Sequence, residues 1–115
     1  MTLQEFWNNK EKISESKPIE YKGMVFKGGV YSNGYRIWAV DGNTSIPTDD
    51  IITFNDLEKR CDEYVNGNVV CVRCRKAIPK DKTNEIERWF AGVYCKNCFT
   101  KKDREERDWD YAHLD

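Results

Sequence analysis

Two cysteine pairs constrain this chain more than any other feature. Cys71-Val72-Arg73-Cys74 and Cys95-Lys96-Asn97-Cys98 are separated by twenty residues. A Cys-x-x-Cys pair bends into a tight knuckle that aims two sulfurs at one point, and a second pair at this separation completes a tetrahedron. Zinc suits such a set because it has no redox chemistry and accepts four soft ligands. The spacing therefore predicts one structural Zn2+ on Cys71, Cys74, Cys95 and Cys98. Four thiolates close the coordination shell, whereas a catalytic zinc keeps a position for water and commonly recruits His or carboxylate. The single histidine, His113, stands outside any ligand spacing, with no Ser-His-Asp order and no glycine-rich phosphate loop in the chain. We therefore expect a protein that is not an enzyme.

A metal staple matters here because the apolar content is thin: 39% of the 115 residues are hydrophobic against 34% charged. A small core of that kind gains from a bound ion. The net charge is −1, but it is unevenly spread. Residues 41–64 hold seven acids against two bases, residues 71–102 nine bases against three acids, and residues 103–115 six acids against two bases. A basic zinc lobe thus lies between two acidic stretches. The N-terminus lacks a basic segment followed by an apolar run, no stretch approaches the ~20 apolar residues of a membrane span, and the cysteine count of five is odd. A soluble, cytoplasmic protein with reduced cysteines is the expectation.

Local signals divide the chain into an α+β lobe over residues 1–68 and a zinc-finger lobe over residues 69–115. Thr2 and Glu5 open a short helix over residues 2–13, laid on the core through Phe6 and Trp7. Tyr21, Met24, Val25 and Phe26 read as a first strand, Gly28-Gly29 as a bend or bulge, and Val30 to Val40 as a hairpin turning at Asn33-Gly34. In the second arm Tyr35, Ile37 and Ala39 share one side, and Arg36, Trp38 and Val40 the other. Thr44 to Ile46 returns as a short strand ended by Pro47. A second helix covers residues 55–65, capped by Thr53 with Asp56 or by Asn55 with Glu58. Its stripe of Phe54, Leu57, Cys61 and Tyr64 makes Cys61 a small buried hydrophobe rather than a nucleophile.

Beyond the first knuckle, Arg88 to Cys95 reads as a hairpin turning at Ala91-Gly92. From Asn97 to about Tyr111 there is no Gly or Pro, and Lys101–Glu105, Lys102–Glu106, Asp103–Arg107 and Arg104–Asp108 are opposite charges at i, i+4. The pattern predicts a helix that starts at the second cysteine pair, whose N-terminus would stabilise the thiolates of Cys95 and Cys98. Trp89, Phe90, Tyr94 and Phe99 are expected to shield the metal with apolar surface.

Knuckle, hairpin, then a cysteine pair leading into a helix resembles the treble-clef zinc finger, including LIM-type half-modules and GATA-type fingers. Cys71, Cys74, Trp89, Gly92, Cys95 and Cys98 carry the resemblance, which covers roughly residues 69–105. It implies a structural ion and a binding role. The second ligand set of a LIM module is absent, and the tail is acidic where a GATA-type finger carries a basic one.

Two binding functions follow. The first is a protein-interaction regulator or inhibitor of a larger host machine. It would use exposed aromatics, Trp7, Trp38, Trp109 and Tyr111, with Arg36 beside Trp38, and its acidic helix would imitate nucleic-acid phosphates. Small size, an unfamiliar front half and a zinc staple would suit a phage or mobile-element accessory protein. The second is nucleic-acid binding through the basic lobe, with Arg73, Arg75, Lys76, Lys101 and Lys102 among the cations.

Overall fold

A computed structural model describes residues 1–13, 15–31 and 34–114, and statements about the structure concern those residues. It shows an α+β chain of small antiparallel sheets and helices. Helix α1 spans Leu3–Asn9, shorter than predicted. Thr2 and Glu5 form the expected reciprocal capping box, and Leu3 and Phe6 turn inward.

Four strands form the main sheet in the order β1 Lys17–Tyr21, β2 Met24–Tyr31, β3 Gly34–Ala39 and β4 Thr44–Ile46. The predicted first strand is in fact a hairpin. Tyr21 pairs with Met24, and Lys22 and Gly23 turn the chain with φ of 48° and 80°. Positive φ at both central positions is the type I′ turn, whose twist matches that of the flanking strands. The expected bend at Gly28-Gly29 is absent, because both residues lie inside β2 and pair with Ile37 and Arg36. Gly28 serves close approach instead: a Cβ there would lie 2.5 Å from Cε1 of Phe6. The β2–β3 hairpin forms as expected, but Gly34 pairs with Tyr31 rather than occupying the turn. Asn33, the other half of the expected turn, lies outside the described residues.

Helix α2, Phe54–Val65, is capped by Thr53 and Asp56, and buries Leu57, Cys61 and Tyr64. Together α1, α2 and the sheet enclose Phe6, Ile19, Phe26, Ile37, Leu57 and Cys61, all fully buried. Burial pushes the Cys61 thiol up to about 12, as its reading as a small hydrophobe requires.

Two further hairpins follow. Strands β5 Asn68–Val70 and β6 Ala77–Pro79 flank the first cysteine pair, and β7 Ile86–Trp89 and β8 Gly92–Cys95 lead to the second. The β7–β8 turn consists of Phe90 and Ala91, because Trp89 pairs with Gly92. The apolar core runs on without a break into Val69, Cys71, Ile78, Val93 and Cys95. A backbone bond joins the same regions, from Ser45 N–H to Ala91 O at 2.8 Å, and another from Val72 N–H to Val93 O at 2.9 Å ties the first knuckle to β8.

Helix α3 spans Lys101–Ala112. It begins after the second cysteine pair, not at it, which corrects the predicted start. Thr100 is its N-cap, in a capping box with Asp103. Cys95 to Phe99 make one separate turn, with Cys98 N–H and Phe99 N–H both donating to Cys95 O. The free N–H groups of the α3 terminus therefore meet Thr100 and Asp103, not the sulfurs. No described helix is long and apolar enough to cross a membrane.

Candidate metal centre

The two knuckles bring Cys71, Cys74, Cys95 and Cys98 together. Their four sulfurs all lie within 4.8 Å of one another, a group that could hold a metal ion. The Cys74 and Cys95 sulfurs are 3.7 Å apart. A disulfide would need about 2.05 Å. A tetrahedron with metal–sulfur bonds of about 2.3 Å has edges of about 3.8 Å, close to the observed separation. The donor set therefore fits a zinc-like ion.

Each knuckle is shaped by its backbone. Arg75 N–H donates to Cys71 O and Cys71 N–H to Lys76 O, while Arg75 adopts φ of 65° to reverse the chain. Cys71 and Cys95 are buried, Cys98 is half-buried and Cys74 is exposed, so the cluster faces solvent on its Cys74 side. Burial raises the Cys71 thiol, but backbone N–H groups of Cys74, Cys95 and Arg73 outweigh it and bring the group down to about 6. The Cys98 thiol is pushed up to about 12 by its bond to Cys95, by burial and by the other thiols. One thiolate forms readily, and the next are resisted by their neighbours. A divalent cation held among the four sulfurs would offset that resistance.

The two arginines nearest the cysteines are committed to ion pairs, whereas the lysines of the basic lobe are largely exposed. Arg73, between the first two cysteines, makes a bidentate pair with Asp103 at 2.6 and 2.9 Å and also donates to Cys98 O at 2.6 Å. This joins the first knuckle to the second knuckle and to the α3 cap. The pairing holds the Asp103 carboxyl well below the usual carboxylate range. Arg75 pairs with Asp49 and Asp50, and its Nη1 is buried without a hydrogen-bond partner. Lys76, Lys101 and Lys102 are exposed, and Lys102 meets Glu106 at 4.0 Å.

Of the other expected α3 pairs, Asp103 turns to Arg73, and Arg104 and Arg107 reach Glu87 on β7 at 3.2 and 2.7 Å. Partners from other elements displaced the i, i+4 ones. The role of Asp103 as a clamp was missed, although Thr100-x-x-Asp103 was visible as a capping signal.

The aromatic residues divide. Phe99 is buried, edge-on to Trp89 at 6.4 Å and tilted against Tyr94 at 5.2 Å. Phe90 does not join this group: it is 56% exposed and meets Tyr111, whose hydroxyl oxygen accepts from Phe90 N–H at 2.9 Å. Trp109 is 62% exposed and stacked on His113. Arg36 is exposed on β3, and Trp38, on the same side of that strand, is half-buried. The expected contact residues sit on different elements, although Arg36 and Arg75 line one depression. Arg36 and Trp38 belong to the sheet, Arg73 and Arg75 to internal ion pairs, and Trp109 and Tyr111 to the far end of α3.

No family model matches the chain, and no curated protein and no solved structure is significantly similar to it.

Proposed function

We propose that this is a non-enzymatic binding protein in which one zinc ion holds the region from Val69 onward in shape. The sulfur cluster carries the reading. Four cysteine sulfurs within 4.8 Å would fill the tetrahedral shell of a bound zinc, which supports a structural rather than a reacting ion. The order of knuckle, hairpin, second knuckle and helix supports a treble-clef-like module, in which α3 follows its own N-cap after the ligands.

For the partner we favour another protein, acting as a regulated or inhibited target, over a nucleic acid. The reason is the fate of the cations. Arg73 and Arg75, the two arginines beside the cysteines, are committed to Asp103, Asp49 and Asp50, which leaves exposed lysines and no bidentate arginine there to offer to phosphate.

Affinity capture with the zinc-loaded chain, beside a titration with random duplex DNA, tests the reading. A stoichiometric protein partner lost on chelation is the expected result. Duplex binding that weakens steeply with salt, with no protein partner, would replace it.

A further inference from the structure

The exposed end of α3 carries chemistry that the metal centre does not use. Two adjoining depressions of about 320 and 190 Å³ meet there. Trp89 and Asp110 line both, Phe90 and Tyr94 line the first, and Glu106 and Trp109 line the second. Aromatic faces interleaved with carboxylates are the recognition chemistry of an organic cation, because the ring quadrupole and the negative charge attract the same guest. A neutral apolar guest would gain nothing from Glu106 and Asp110.

The carboxylates are placed rather than incidental. Trp89 Nε1 donates to Asp110 Oδ2 at 2.9 Å, which fixes the carboxylate beside the indole. Of the bases on this helix, Arg104 and Arg107 pair with Glu87, and Lys102 meets Glu106 only at 4.0 Å from a largely exposed position, a contact that a better-placed cation would displace. The last thirteen residues remain acidic. Among the lining residues, Trp109 is 62% and Phe90 56% exposed, so apolar ring surface lies open beside the carboxylates. Trp89 also packs edge-on against Phe99, which follows the last cysteine, so the metal centre supports one wall of the cleft.

We propose that this cleft is a docking site for a basic segment of a partner protein, with an arginine or lysine side chain inserted between Trp89 and Trp109 and paired to Glu106 and Asp110. The proposal rests on the protein-binding reading above and specifies its chemistry.

The test is an NMR titration of the full zinc-loaded chain with the peptide acetyl-Ala-Arg-Ala-Arg-Ala-amide, with citrulline replacing arginine in the control. Citrulline keeps the shape and removes the charge. We expect the indole signals of Trp89 and Trp109 to shift and saturate while those of Trp7 and Trp38 stay, and the citrulline peptide to do nothing. Trp109→Ala and Glu106→Gln, both at exposed positions, should each weaken binding about tenfold, the range of one cation–π contact or one ion pair. An absent response, an equal response to citrulline, or binding that neither substitution changes would overturn the proposal. So would saturable shifts with duplex DNA in place of the peptide. Zinc is measured on the same sample. A full complement of zinc without a peptide response removes the cleft and leaves the structural ion standing. A response that survives in a folded, metal-free chain keeps the cleft and removes the ion from the account.

Discussion

The four-stranded sheet and the sulfur-bound hairpins are held together by different means. Around the sheet, Phe6, Phe26, Ile19, Ile37 and Leu57 are fully buried, and α1 and α2 close the core from outside. From Val69 onward the buried side chains are mostly shorter: Val69, Val70, Ile78 and Val93, with Phe99 and two of the four candidate ligands, Cys71 and Cys95. What joins α3 to the rest is largely polar, through Arg73–Asp103 and Arg107–Glu87. Apolar burial contributes roughly 25 cal/mol per Å², so a region that buries few large side chains needs another source of stability. An ion that must be caged before the knuckles can close supplies it.

The largest effect that could break this contrast comes from the metal. Cys95→Ser, or chelation of the wild type, should cost the second region about 5 kcal/mol or more. Amide exchange should show protection lost at Val93 and Phe99 and retained at Phe26 and Ile37. Uniform loss across the chain would mean that both regions depend on the ion.

The opposite substitution sharpens the contrast. Phe26→Ala removes a fully buried ring and should cost about 3–5 kcal/mol in chemical denaturation, while bound zinc per folded chain stays unchanged. Gly28→Ala tests the close approach under Phe6. Its new methyl has no room, and about 1–3 kcal/mol should be lost.

A smaller effect is set by pH. Burial pushes the Cys61 thiol and the Tyr35 hydroxyl up to about 12, and burial with the Asp62 bond does the same for Tyr21. Raised values favour the neutral form in the folded state. The stability they carry is present in full below the unfolded values, about 8.5 for cysteine and about 10 for tyrosine. It declines as pH rises from there towards 12. Thermal melts between pH 8 and 12 should therefore show the sheet region weakening with alkali. Cys61 should also resist alkylation at pH 8 until denaturant is added. Ready labelling of Cys61 in the folded chain would contradict its burial.

Much of this was legible because it is local. The capping boxes at Thr2 and Thr53 are three-residue patterns, and the cysteine pairs carry their geometry in their spacing. The sides of β3 followed from alternation, with Ile37 and Ala39 inside. What failed depended on other elements. Gly28 read as a bend because nothing in its neighbourhood reveals that Phe6 lies above it. Lys22-Gly23 was passed over because lysine is an uncommon residue at positive φ, while Asn-Gly nearby is the stronger turn signal. The charge pattern of α3 predicted a helix correctly but misassigned its ion pairs, since Arg73 and Glu87 are distant in sequence. The helix start was placed too early for a related reason. The absence of Gly and Pro said where helix was permitted, and Thr100 decided where it began.

X-ray absorption at the zinc edge, on protein purified under reducing conditions and shown to hold one zinc per chain, reaches the central claim most directly. The account predicts four sulfur neighbours at about 2.3 Å and no lighter atom in the coordination shell. A shell containing oxygen or nitrogen, zinc well below one per chain, or a disulfide between any two of Cys71, Cys74, Cys95 and Cys98 would contradict it.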